Sequence, residues 1–192
     1  MKKNRFYHFA LLFCLCQFAA LFASAQTNPP GIAYVSIEGA KTGQFKGNSI
    51  AEGNEGKIEC IGFRYSVSVP HDTESGKSSG KRVQNPLVII KNIDYSTPQL
   101  LQAAYSNENL KTVVIEFYKK LSNGQPGNIS YRITLTNASI SLISQYGGTA
   151  FADNNAGNLA TNGNLVEEIT LTFQKISIEN LVGNTTAADD WK

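Results

Sequence analysis

Residues 129–143 read ISYRITLTNASISLI, and this run decides the fold class. Tyr131, Ile133 and Leu135 alternate with polar neighbours on one phase. Ala138, Ile140 and Leu142 alternate on the other. A period of two sends successive side chains to opposite faces of a strand. A phase change inside one continuous run is the mark of an extra residue, so a bulge is expected near Asn137.

The same pattern recurs on both sides of this run. Thr112–Lys119 sets Val113, Ile115 and Phe117 against Glu116 and Tyr118, and Ile169, Leu171 and Phe173 slip in phase to Ile176 and Ile178. Lys57–Val69 reads as a long strand that slips at Ile61-Gly62, where a glycine suits a bulge. Ile32–Glu38 and Leu87–Ile93 are further strands, and Asn123-Gly124 with Pro126-Gly127 mark a turn. Val114 and Tyr118 make the back of the 112–119 strand apolar too, which favours contact with a second subunit.

One helix is expected after Ser96. Ser96 or Thr97 would cap it, Pro98 suits its first turn, and Gln99 completes a capping box with Ser96. Leu100, Leu101, Ala104 and Tyr105 form its apolar side. So short a helix must dock on a sheet. Residues 40–56 and Gly147–Asn164 read as loops, and Pro70–Arg82 is the most polar and least periodic stretch, expected to project as a loop or arm. Repeated bulges coil a sheet and let it close, so the fold is mainly β, a small barrel or sandwich with one docked helix.

The first 25 residues set the compartment. Lys2, Lys3 and Arg5 precede an apolar run, Phe9–Phe22, and Ala23-Ser24-Ala25 supplies a small-x-small site before Gln26. That order is an export signal with cleavage after Ala25, too short to remain as a membrane span. Residues 26–31 follow as a linker, 32–182 form the folded domain and 183–192 a polar tail.

Cleavage changes the charge balance. The precursor carries 17 basic and 15 acidic residues, and removing Lys2, Lys3 and Arg5 leaves 14 against 15. Nothing in that balance calls for nucleic acid or an anionic membrane. Only Cys60 of the three cysteines survives, on an apolar-facing strand position, so a buried free thiol is expected.

No catalytic constellation emerges. His71 is the one histidine after the leader, so a typical zinc site cannot be assembled. Asp72 adjoins it, but no nucleophile-elbow motif accompanies the pair. Gly76-Lys77-Ser78 ends like a phosphate-binding loop, yet the first glycine of that motif is replaced by His71 and no helix follows. The chain is therefore expected to act without cofactor or metal, and not as an enzyme.

Several motifs in fixed order carry a resemblance. They are Ser75-Gly76-Lys77 with Gly80-Lys81-Arg82, Ser96-Thr97-Pro98-Gln99-Leu100-Leu101, and residues 113–118 (VVIEFY). Residues 131–138 (YRITLTNA), Glu167–Glu179 and 186–191 (TAADDW) follow. Together they resemble the Hcp family, the haemolysin co-regulated proteins of type VI secretion tubes. The resemblance implies a closed β-barrel of two coiled antiparallel sheets with a short α-helix and a long protruding loop. It also implies homo-oligomerisation into hexameric rings that stack into a tube, with secretion-system sheath, spike or effector proteins as partners. Ser75, Gly76, Lys77, Gly80, Lys81 and Arg82 fall where the family's protruding loop contacts the neighbouring ring. The leader departs from the family pattern, in which tube subunits assemble in the cytoplasm. It makes the second expectation an exported, periplasmic or secreted protein that binds a surface or partner alone.

Overall fold

A computed structural model describes residues 33–120, 126–147 and 164–191. The leader, the 26–31 linker, the Asn123-Gly124 turn and most of the 147–164 loop lie outside the described residues.

The elements run β1 (Ala33–Gly39), β2 (Gly43–Gln44), β3 (Ile58–Cys60), β4 (Gly62–Arg64), β5 (Val67–Ser68), β6 (Val83–Gln84) and β7 (Leu87–Asn92). Then come the single described helix α1 (Thr97–Tyr105), β8 (Leu110–Lys120), β9 (Pro126–Tyr146), β10 (Val166–Asn180) and β11 (Thr185–Asp190). The mainly β, antiparallel fold with one helix is as the sequence reading has it. Hydrogen bonding joins the coiled sheets into one nine-stranded ladder, in the order β2-β1-β8-β9-β10-β7-β4, with β3 on β1 and β11 on β10. Pro126 and Gly127 belong to strand β9 rather than to a turn.

The long strand expected over 57–69 is split. β3 pairs with β1, whereas β4, one residue further on, pairs with β7. Ile61 lies between them and donates its N–H to the Ile90 carbonyl (2.8 Å). The two flanks of the ladder are thus joined by one continuous piece of chain. A phase slip at Ile61-Gly62 was therefore a change of partner strand, not a bulge against one partner.

The other slips fall in one row across the sheet. The β1–β8 ladder passes from Glu38↔Thr112 to Gly39↔Leu110, skipping Lys111. β8 and β9 pair through Thr112↔Thr136 and Leu110↔Ala138, on either side of Asn137. β9 and β10 pair through Thr136↔Lys175 and Ala138↔Phe173, on either side of Gln174. Asn137 takes a left-handed backbone (φ 49°), a conformation that asparagine tolerates, and its Nδ2 donates to Gln174 Oε1 (2.9 Å). Because three neighbouring strands slip at one level, each keeps its apolar side on the core. The β9–β10 register itself shifts four residues later, at Ser141, between Leu142↔Thr170 and Ile140↔Leu171. That second irregularity turns Leu142 outward, 55% exposed, and sets Ile143 opposite Ile169.

The core is fully apolar at its centre. Val35, Ile37, Ile58, Ile89, Ile115, Leu135, Ile169 and Leu171 are sealed from solvent. Cys60 lies among them as expected, its Sγ 2.9 Å from the Gly62 carbonyl. Burial pushes its thiol up to about 11.

The helix N-terminus differs from the expected capping box. Ser96 stands at the N-cap but makes no side-chain cap bond. Its N–H and Oγ both donate to Asp94 Oδ1 (2.8 and 2.6 Å), while Gln99 Nε2 turns to the carbonyls of Lys46 and Tyr95 (3.1 and 2.9 Å). The buried face is Thr97, Leu100 and Ala103; Tyr105 is exposed.

Beneath this helix lies a buried charge cluster. Lys91 Nζ sits 2.7 Å from both Asp94 Oδ1 and Glu167 Oε1, and also donates to the Asn92 carbonyl (2.7 Å). Thr97 Oγ1 donates to Glu167 Oε1 (2.6 Å), and Gln145 Nε2 to Glu167 Oε2 (3.0 Å). Strands β7, β9 and β10 and the helix start are thereby joined at one point.

The turn between β1 and β2 is held from beyond the other end of the helix. Glu108, buried, accepts the N–H groups of Lys41 and Thr42 (2.6 and 2.7 Å) and the Thr42 hydroxyl (2.7 Å). Burial pushes its carboxyl up, but the Thr42 and Lys41 hydrogen bonds outweigh this and hold it below the usual carboxylate range. Gly47 permits the loop after β2 to close on itself: a Cβ there would stand 2.2 Å from the Lys57 carbonyl.

Candidate assembly surface

The polar 70–82 stretch is not a shapeless loop but the outer part of a two-stranded arm. β5 and β6 pair through Val67↔Gln84 and Ser68↔Val83. Below them Asn85 N–H donates to the Ser66 carbonyl (3.1 Å), and above them Ser79 N–H donates to the Pro70 carbonyl (2.9 Å). A single bridge joins His71 to Ser78 further out. At the tip Asp72 Oδ1 accepts Ser75 N–H and Ser75 Oγ (both 2.7 Å), which holds the carboxyl below its usual range. Gly76 closes the turn with a left-handed backbone (φ 67°) and donates its N–H to the Asp72 carbonyl (2.9 Å). Gly80 takes φ 104°, open to few residues other than glycine.

The expected contact residues are thus placed as follows. Ser75, Gly76 and Lys77 form the tip, and Gly80, Lys81 and Arg82 lie on the returning segment that leads into β6. All are exposed. The ammonium groups of Lys77 and Lys81 have no ion-pair partner among the described residues. Arg82 does have one. Its guanidinium forks onto both carboxylate oxygens of Asp189 in β11, and its Nη2 reaches the Asp190 carbonyl (3.4 Å). Gln84 Nε2 donates to the same Asp189 carboxylate. That Arg82 hydrogen bond is the main reason the Asp189 carboxyl sits below its usual range. Ala23, Ala25 and Gln26, the expected cleavage residues, lie outside the described residues.

The polar tail is also structured. Thr185–Asp190 pair with β10 over six positions, from Thr185↔Asn180 to Asp190↔Lys175. Trp191 N–H then donates to the Gln174 carbonyl (3.0 Å). A cleft of ≈ 260 Å³ opens between arm and tail, lined by Lys81, Arg82, Gln84, Asp190 and Trp191. Val67, Val69, Val83 and Trp191, each about half exposed, give the base of the arm an apolar surface. Sequence reading missed Gln84, Asp189 and the strand that carries Asp189. Trp191, an isolated large aromatic in a polar tail, was the one available signal.

The outer face of β8 was expected to meet a second subunit. Much of it is instead covered by this chain. Tyr118 Oη donates to Asn54 Oδ1 (2.7 Å), and the Tyr118 ring meets Tyr34 edge-on at 5.4 Å. Glu116 is paired to Lys57 (2.7 Å) and Arg132 (3.0 Å), and Arg132 to Glu179 (3.2 Å). Burial raises the Glu116 carboxyl, but Lys57 and Arg132 bring it below the usual range.

An antiparallel sheet whose flanks are joined through β3 and β4, one docked helix and a projecting arm are shared with known proteins. The family model "Type VI secretion system effector, Hcp" matches residues 34–179. The chain belongs to the Hcp family. It is 32% identical over 169 residues to the "Major exported protein" of Pseudomonas aeruginosa, covering 83% of this chain and 95% of that protein. Among solved Hcp structures, the secreted protein Hcp3 from Pseudomonas aeruginosa is 27% identical with a TM-score of 0.65, covering 83% of this chain and 97% of that one. Hcp1 from E. coli EAEC 042 shares the fold at 23% identity and a TM-score of 0.70, covering 84% and 99% of the two chains. The Hcp match includes the whole arm, β7, the helix and most of the ladder, and stops before β11.

Proposed function

We propose that this Hcp-family chain is a ring-forming subunit of a type VI secretion tube, hexameric in each ring, with the arm meeting the next ring. The observation that carries the reading is the arm itself. Residues 66–83 are exposed along their whole length, and they present two unpaired ammonium groups above an apolar base. A projecting element and a receiving surface elsewhere on the molecule make a heterologous contact, the kind that builds rings and open stacks. Sheath, spike and effector proteins would be the partners of such a tube.

Electron microscopy of the purified protein tests this. Wild type is expected to give rings that stack at high concentration. Lys77→Glu with Lys81→Glu should leave single rings and shorten stacks at least several-fold, because neither lysine is ion-paired among the described residues of the subunit. Stacks of unchanged length would rule the contact out.

The leader favours a second reading, an exported subunit that acts alone on a surface or partner outside the cytoplasm. The name of the Pseudomonas aeruginosa relative, "Major exported protein", is consistent with either route. N-terminal sequencing of the native protein separates them. A start at Gln26 in the periplasm supports the export signal, whereas Met1 retained in cytoplasmic rings supports assembly before export.

A further inference from the structure

The arm cannot fix its own direction. Its two strands share two register pairs at the base, and only one isolated bridge lies beyond them. A two-stranded ribbon without packing is marginal in water. Between Ser66 and Val83 no residue is buried, so no side chain wedges the arm against the body. Its polar ties to the body among the described residues come from Arg82 and Gln84. They run to Asp189, to the Asp190 carbonyl and to Tyr65 Oη, which donates to Gln84 Oε1 (3.3 Å). Tyr65 in turn packs on Phe173 of β10 at 6.1 Å between ring centres.

We propose that β11 is a clasp: Asp189 gathers Arg82, which directly precedes β6, and Gln84 of β6, and so sets the angle at which the arm leaves the body. Three features support it. A bidentate guanidinium–carboxylate fork restricts orientation as well as distance. Gln84, 8% exposed, uses both ends of its amide, one on Asp189 and one on Tyr65, so it bridges arm and body. And β11 is a firm support, paired to β10 over six residues and pinned at its end by Trp191. The C-terminal residues therefore act at the arm, although they are more than 100 positions away in sequence (|i−j| of 107 for Arg82–Asp189). The consequence for stacking rests on the reading of the arm given above; the clasp itself does not.

The test uses spin labels on the chain with Cys14→Ser and Cys16→Ser, at Glu74→Cys, in the arm tip, and Asn109→Cys, on the body. Native Cys60 is buried and stays unlabelled. Wild type is expected to give one narrow distance distribution. Asp189→Ala should widen it at least twofold. Arg82→Gln, made from the arm side, should widen it to a similar degree and covers the case of β11 detaching in the first variant. Distributions that superimpose on wild type in both variants overturn the clasp. Stack length is read in the same samples. A widened arm with full-length stacks upholds the clasp and removes the arm from stacking. A widened arm with short stacks upholds both.

Discussion

Lys91→Met is expected to cost about 3–5 kcal/mol of folding stability, the range for breaking a buried ion pair by removing one partner. Lys91 and Glu167 are fully sealed from solvent and Asp94 nearly so. Methionine keeps the length and the apolar stem but leaves two buried carboxylates facing each other with no cation. Since a domain has only about 5–15 kcal/mol to lose, the urea midpoint should fall by a large fraction. The effect should be partly reversed in Lys91→Met with Glu167→Met, which removes a stranded charge as well. A midpoint unchanged within error in the single variant would show that the cluster does not hold the helix to the sheet.

Two leucines on one strand should behave oppositely. Leu135→Ala is expected to cost about 2–5 kcal/mol, because Leu135 is fully buried opposite Val113 and Ile176 and leaves a cavity. Leu142→Ala, seven residues along β9, should change stability by less than about 0.5 kcal/mol, as surface substitutions do. Equal losses in paired urea titrations would place Leu142 in the core and contradict the register shift at Ser141.

This contrast shows how far the sequence could be read. Alternation in 112–119 and 129–143 was enough to find the longest strands, because a half-buried strand must alternate. The phase slips were legible too, but not their cause. Ile61-Gly62 looks like any glycine bulge in one dimension. Whether a strand bends or changes partner depends on what lies beside it, which no local pattern contains. The helix was found from Pro98 and Leu100 and its N-cap position from Ser96, yet the capping box does not form, since Asp94 competes for Ser96 through a turn that precedes the helix. Residues 185–190 were illegible as a strand: a short edge strand with both faces exposed needs no apolar alternation. The arm's position was clear from its polarity, and the family resemblance supplied its significance. Its partner Asp189 was hidden by sequence distance.

The place of β10 in the ladder has a consequence for biosynthesis. It is the shared neighbour of β7, β9 and β11, and it occupies residues 166–180, downstream of both β7 and β9. Until it leaves the ribosome, β7 has only β4 to pair with, and the ladder between β9 and β7 has a gap. At about 5–20 residues per second the chain spends several seconds with its first residues already emerged and β10 still unmade. Contacts this distant in sequence also form slowly once they become available. A ladder whose shared strand is translated after its neighbours stays open and threadable for longer than one that pairs up from its front.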